Sequence, residues 1–269
     1  MTTEKFEKIN SLKNRIDSLN DMKEWDDSFI EKVKTDFTYN SNKLEGNALT
    51  FGQTIAALND FVTPGSHASS DVLDVINHQE ILDDVFDNHR TEKISVENIL
   101  QLHKVLMKYI VQWEDDGHYS PGRFKMFENA TMLSGGKIYR YLPPAEVPDA
   151  MEALVTAINH QLTGVDYADI NRHPLMIATR FHQQILDIHP FSDGNGRIAR
   201  IFVNLILLKT GFPPIFIRDV DRKTYLHLFE LSQKDILPMQ EFFADKLLES
   251  LDVKLDFVLQ AIQSGETAA

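Results

Sequence analysis

The chain has no cysteine among its 269 residues. Disulfides, a thiolate nucleophile and cysteine-ligated zinc are therefore excluded. No apolar run approaches the ~20 residues needed to cross a bilayer. The opening Met1-Thr2-Thr3-Glu4-Lys5-Phe6 lacks the hydrophobic stretch of a secretory signal. A cytoplasmic location without membrane association is the resulting expectation. Basic charge is also scarce: 27 Lys and Arg face 40 Asp and Glu, a net charge of −13. Phosphate backbones select basic faces, so nucleic acid is not expected as a partner. Internal repeats and low-complexity segments are absent as well. What remains is 43% hydrophobic and 25% charged, the ordinary balance of a soluble globular protein. The length suits one large domain, or one domain with an appendage.

The stretch around which the rest is organised is His189-Pro190-Phe191-Ser192-Asp193-Gly194-Asn195-Gly196-Arg197-Ile198-Ala199-Arg200. It joins two apolar helices. His173-Pro174 opens the first, whose Ile177, Ala178, Phe181, Ile185 and Ile188 recur at helical spacing. The second runs from Ile198 to Leu208, apolar on nearly every side, which predicts a helix buried at a domain centre. Gly211 followed by Pro213-Pro214 ends it.

The loop between them is too polar and glycine-rich for a plain connection. Gly194 and Gly196 allow backbone amides to turn toward one point, and the N-terminus of the following helix favours an anion. Yet Arg197 and Arg200, three apart, share a face of that helix's first turns. Cations there are unfavourable without a counter-charge, and a bound phosphate chain supplies one. Asp193 beside phosphates suits Mg²⁺, and His189 can serve as a base near neutral pH. A Gly-Asn-Gly run alone is usually a turn, and a calcium loop would need glycine where Ile198 stands. The combination of histidine, acid, glycines and arginines makes a bland loop the weaker reading.

A second segment, Ser41-Asn42-Lys43-Leu44-Glu45-Gly46-Asn47, ends a helix that begins near Asp26-Asp27-Ser28. Ser41 and Glu45 share a face. A carboxylate at a helix C-terminus opposes the dipole, so Glu45 should have a cationic partner. By pattern alone, a solvated acid before a Gly-Asn stop is the simpler reading.

Elsewhere, Thr3 is expected to cap a first helix carrying Phe6, Ile9, Leu12, Ile16 and Leu19. Thr50-Phe51-Gly52-Gln53 reads as a capping box, with a break at Pro64-Gly65-Ser66. Helices follow at 70–86 and 96–107, the latter capped by Ser95. Residues 113–117 form a polar connection. Residues 120–144 look non-helical, with strand character at 137–142. Val147-Pro148, residues 222–232 and a long run after Asp235 give the last helices, and a frayed tail covers 265–269.

The central stretch resembles the Fic family signature, His-Pro-Phe-x-(Asp/Glu)-Gly-Asn-Gly-Arg-x-x-Arg, at every specified position. The resemblance implies an all-α Fic fold, a helical bundle around a central helix pair with a small β-hairpin flap. It implies transfer of AMP from ATP to a hydroxyl of a target protein. His189 would be the base and Asp193 the Mg²⁺ ligand. Gly194, Asn195, Gly196 and Arg197 would hold the α- and β-phosphates, and Arg200 the γ-phosphate. Ser41, Glu45 and Asn47 resemble the family's inhibitory motif, (Ser/Thr)-x-x-x-Glu-(Gly/Asn)-Asn, in which the glutamate pairs with the second arginine, here Arg200.

The resemblance also places a flap near residues 123–142, where an extended target segment would dock by strand addition. The chain has Gly122-Arg123-Phe124-Lys125 where the family often has Gly-x-Tyr-Arg, and a longer insert before Leu142-Pro143-Pro144. Tyr225 and Ser232 would line the adenine pocket, although Tyr225 serves equally well as a core aromatic. His78 and His103 are expected to serve helix packing rather than catalysis. The implied organisation is an N-terminal inhibitory region (1–92), a Fic core (93–250) and a C-terminal helix end and tail (251–269). The expected partners are ATP and a target protein, with a homo-oligomer left open. Removal of AMP from a modified target, and a nucleotide-dependent module without chemistry, are the competing functions.

Overall fold

The computed structural model describes residues 1–19, 27–60, 69–108 and 120–264. The expected break at 64–66, the connection at 113–117 and the tail at 265–269 lie outside them. Among the described residues the structure is helical apart from one two-stranded hairpin. None of its helices is long and apolar enough to cross a membrane.

The centre is an antiparallel pair, α7 (Pro174–Ile188) and α8 (Asn195–Lys209). Leu175, Ile177, Phe181 and Ile185 of α7 are fully buried. From Ile198 to Leu208, α8 is buried on every side. The Phe181 and Phe202 rings meet at 5.5 Å between centroids. An aliphatic helix can be buried all round because its backbone bonds are satisfied internally. Its one interior amide, Asn204, makes two reciprocal bonds with the Ile215 backbone, each 2.7 Å.

The end of α8 follows the sequence expectation. Gly211 takes φ +76°, Phe212 N–H reaches Leu207 O at 2.9 Å and Gly211 N–H reaches Leu208 O at 3.0 Å. This is the paired closure that a left-handed C′ glycine permits. Helix α8 starts at Asn195, three residues before the apolar run that opens at Ile198, with Arg197 in its first turn as expected. Asn195 and Gly196 are therefore helical, and the free amides of the first turn belong to the loop itself.

Around this pair lie α1 (Thr3–Leu19), α2 (Asp27–Leu44), α3 (Phe51–Asp60), α4 (Ser69–Asn88), α5 (Val96–Leu106) and α6 (Val147–Thr163). The chain continues into α9 (Arg222–Ser232) and α10 (Leu237–Ser264). One cluster of buried apolar side chains joins α1, α2 and α4–α10. A smaller one under α3 joins Leu49 and Ala57 to Val72 and Val75. Helix α10 runs unbroken through residue 250 and packs on α1, so the expected boundary at 250 falls within one helix.

Several local signals act as the sequence says. Ser95 Oγ accepts from Asn98 N–H at 3.1 Å and caps α5. Gln53 Oε1 accepts from Thr50 N–H at 2.9 Å while Thr50 Oγ1 accepts from Gln53 N–H at 3.4 Å, a reciprocal capping box. At the first helix the expectation shifts by one residue. Thr3 is already helical, and the Thr2 hydroxyl accepts from Lys5 N–H at 3.5 Å.

The hairpin pairs β1 (Ala130–Met132) with β2 (Ile138–Arg140), in register Ala130 with Arg140 and Met132 with Ile138. Gly135 and Gly136, at φ +80° and +79°, make the turn between them. Tyr139 OH donates to Gln233 Oε1 at 2.8 Å, and Gln233 donates to Asp187 Oδ1 at 2.7 Å. The hairpin is thereby tied to both α9 and α7.

Candidate active site

The loop between α7 and α8 is closed by its own asparagine. Asn195 Oδ1 accepts from Phe191 N–H at 2.9 Å, and Asn195 Nδ2 donates to Phe191 O at 2.8 Å. The Asn195 side chain is buried in this work, so only its backbone faces the loop interior. Gly194 caps α8 at φ +79°. A Cβ there would stand 3.1 Å from Met107 Sδ, so both conformation and space call for glycine.

His103 of α5 supports the loop from below. Its ring stacks on Phe191 at 3.7 Å. Its Nδ1 accepts from Gly122 N–H at 2.9 Å, which leaves Nε2 as the donor to Asp193 O at 3.1 Å. Burial pushes its pKa down to about 4, so it stays neutral. His78, also fully buried, meets Thr38 Oγ1 at 3.2 Å. Both histidines serve packing, as expected from the sequence.

His189 ends α7 in the left-handed conformation, φ 51° and ψ 62°, with its N–H on Ile185 O at 2.9 Å. The ring of Tyr141 stacks on the imidazole at 3.7 Å. Burial, and then the Lys125 ammonium, push its pKa down to about 4. The imidazole is therefore neutral at pH 7, the form a general base requires.

Both arginines of the stretch are buried and both are engaged by acids. Arg200 Nη2 donates to Glu45 Oε1 at 2.6 Å and to Ser41 O at 3.0 Å, while its Nε donates to Ser41 Oγ at 3.0 Å. Arg197 Nη1 is paired with Asp74 of α4, and its Nη2 lies 3.6 Å from Asp193 Oδ2. Glu45 reaches in from the end of α2, where Gly46 at φ +98° stops the helix. Burial pushes the Glu45 carboxyl up, but Arg200, Arg197 and Arg222 outweigh it and hold it below the usual range. Arg222 also donates to Leu44 O at 2.8 Å, capping α2 beside the acid.

The cationic partner that Glu45 required is thus Arg200. The approach is close enough to dictate Gly196. A Cβ at that position would overlap Glu45 Oε1 and stand 2.9 Å from Arg200 Nη1.

Other expected residues lie nearby. Asn47 donates to Asp71 O at 2.8 Å and accepts from Leu49 N–H at 3.0 Å, which fixes the turn after α2. Tyr225 is buried behind Arg200 with its hydroxyl 2.7 Å from His182 Nε2. Ser232 is buried with its hydroxyl turned back onto Leu228 O at 2.7 Å. Asp193 keeps a side chain that is 53% exposed, with Oδ1 on Gly194 N–H at 2.6 Å. One accessible carboxylate at a helix N-terminus fits a Mg²⁺ that draws its other ligands from phosphate and water. Among the described residues no cluster of three acids or histidines offers an all-protein cage.

Asp74, Lys125 and Asn129 were missed from sequence. Asp74 lies 123 positions from its partner Arg197. The available signal was indirect: Asn77-His78 place polar groups on the buried side of α4. Asn77 donates to Leu106 O at 3.1 Å and Lys108 O at 2.6 Å, so α4 has to pass close beneath the loop's support helix.

The Fic/DOC family matches residues 93–207. The chain is 28% identical over 236 residues to the protein adenylyltransferase Fic of Nematostella vectensis, covering 84% of this chain and 50% of that protein. With the Drosophila grimshawi protein of the same name it shares 29% over 225 residues, 81% of this chain and 42% of that one. The chain thus spans half or less of the length of these curated relatives. A crystal structure of a Fic domain-containing signaling protein from Bacteroides thetaiotaomicron superposes with a TM-score of 0.82 at 27% identity, covering 95% of this chain and 97% of that one. By its helical architecture, its loop from His189 to Arg200 and these matches, the chain is similar to the Fic/DOC family across residues 93–207.

Proposed function

We propose that this chain is a protein adenylyltransferase, moving AMP from ATP to a Ser, Thr or Tyr hydroxyl of a target protein. In this reading Glu45 keeps it inactive. The supporting observation is the convergence of a neutral histidine, an open helix N-terminus and two buried guanidiniums on residues 189–200. Both guanidiniums have carboxylate partners, Glu45 and Asp74, where a triphosphate would place its oxygens.

The residues divide the work as follows. The backbone amides of the first α8 turn, after Gly194, and the α8 dipole would receive phosphate oxygens. Asp193 would hold Mg²⁺ against them, and the ion would neutralise phosphate charge. Arg197 stabilises charge growing on the departing pyrophosphate, and Arg200 takes the γ-phosphate once Glu45 withdraws. The target hydroxyl oxygen bonds to the α-phosphorus as the bond to the β-phosphate oxygen breaks, and His189 takes the hydroxyl proton. The edge of the β1–β2 hairpin offers main-chain groups to an extended target segment. Met132 and Ile138, opposite each other and 74% and 59% exposed, give it an apolar face.

The test is intact mass of the Glu45→Gly protein after incubation with Mg²⁺ and ATP. A gain of one AMP, absent in the wild type, supports the proposal. An unmodified variant that still binds ATP contradicts it.

A further inference from the structure

Lys125 lies between the end of α5 and the hairpin and is only 4% exposed. Its backbone N–H donates to Pro190 O at 2.9 Å. Its ammonium donates to Ile188 O at 3.4 Å and to Asn129 Oδ1 at 2.7 Å. One residue thus holds the two carbonyls on either side of His189. Asn129 in turn donates to Phe191 O at 3.2 Å, extending the grip to the next residue of the loop.

The held residue is an unusual one. Among the described residues, His189 alone has a positive φ without being glycine. A side-chain-bearing residue persists there only when its surroundings over-determine it. The N–H of His189 is fixed from α7, and the flanking carbonyls are fixed by Lys125. Tyr141 covers both groups: its ring stacks on the imidazole at 3.7 Å, and the ammonium lies 5.9 Å from the same ring's centre. The ammonium's hydrogen-bond partners are neutral oxygens, the Glu128 carboxylate acts on it through space, and its charge in turn acts on the nearby imidazole. Burial lowers the Lys125 pKa to about 8, which still leaves it mostly charged at pH 7.

We propose that Lys125 is a positioning residue for His189: it locks the left-handed backbone that aims the imidazole, and it couples the hairpin to the base. The inference rests on the adenylyltransferase reading of the same site. It requires that removing the ammonium disturb the chemical step while leaving the phosphate cradle on α8 intact.

The experiment uses the full chain in the Glu45→Gly background, with Lys125→Met, which keeps the backbone N–H, and Lys125→Arg, which restores a cationic donor. For AMP transfer, Lys125→Met should lower kcat at least tenfold with KM for ATP within twofold, and Lys125→Arg should recover most of kcat. An unchanged kcat, a loss expressed in KM for ATP, or failure of the arginine to recover kcat would overturn the proposal. Amide hydrogen exchange supplies a readout independent of transfer. The His189 and Phe191 amides should exchange at least tenfold faster in Lys125→Met and return toward the parent rate in Lys125→Arg. If the Glu45→Gly parent transfers no AMP, the adenylyltransferase reading fails by itself. Exchange then decides for Lys125, with unchanged protection refuting it.

Discussion

Arg200 donates to Glu45 Oε1 at 2.6 Å, a contact between residues 155 positions apart in the chain. It joins the second turn of the central helix to the residue that follows α2. The same guanidinium holds the hydroxyl and the carbonyl of Ser41, so the motif grips Arg200 through two residues one helical turn apart. A carboxylate in this position competes with any anion that α8 would otherwise attract.

The pair has a predictable pH signature. The Glu45 carboxyl titrates below its reference value of 4.5 in the fold. A depressed carboxyl contributes stability above the unfolded value and loses it as pH falls through the folded one. Glu45→Gln should therefore cost about 1 kcal/mol between pH 5 and 7.5, a small figure because the side chain is 38% exposed. The gap between the two proteins in thermal melts should close as pH falls through the lowered Glu45 titration. A gap that widens toward low pH would contradict the pairing.

Asp74 gives a second stability prediction. Arg197 is buried, and Asp74 is its close carboxylate partner. Asp74→Ala leaves that cation poorly compensated and should destabilise the nucleotide-free protein by about 2–3 kcal/mol. ATP would then supply the missing negative charge. The rise in melting temperature on adding ATP should be larger for Asp74→Ala than for wild type. An equal or smaller rise would separate Arg197 from phosphate binding.

Asn195 separates loop closure from chemistry. Its buried side chain makes two bonds to the Phe191 backbone. Asn195→Ala strands the buried Phe191 N–H, at about 1–3 kcal/mol, while Phe191 O keeps its bond from Asn129. Denaturant titration should show a loss of about 1–3 kcal/mol, and ATP should recover little of it. A neutral substitution would mean that the loop is held by its glycines, His103, Lys125 and Asn129 without Asn195.

Much of this site could be read before the structure. The alternation of apolar spacing, a polar glycine-bearing loop and an all-apolar run gave α7, the turn and α8, because those signals are local. Glu45 could be assigned a cationic partner from the helix dipole alone, and the resemblance of both motifs named Arg200. The unread parts depend on distant backbone. Nothing near Asp74 in sequence distinguishes it from the other acids of α4. Its pairing exists because Asn77 docks that helix beneath α5. Lys125 stands where the resemblance has the arginine of Gly-x-Tyr-Arg, but its contacts with the backbone around His189 depend on how the segment folds back over the loop. Asn195, read as a phosphate contact, spends its side chain on the Phe191 backbone, a closure across the loop that no local spacing announces.

His189 should carry the transfer. Losing a positioned base costs ~10²–10⁴-fold, so His189→Ala in the Glu45→Gly background should nearly abolish modification while ATP binding persists. Because its pKa is lowered to about 4, the acid limb of kcat/KM should fall well below 6. A limb near 6.5 would mean that the imidazole is more solvated than the Tyr141 stack allows.

The central claim is that residues 189–200 transfer AMP and that Glu45 prevents it. The most direct measurement incubates wild type, Glu45→Gly and Glu45→Gly/His189→Ala with Mg²⁺ and ATP labelled at either the α- or the γ-phosphate. The expected result is protein-bound α-label in Glu45→Gly alone, with γ-label released as pyrophosphate. Label retained from the γ-position, or equal α-labelling with and without His189, would contradict the account.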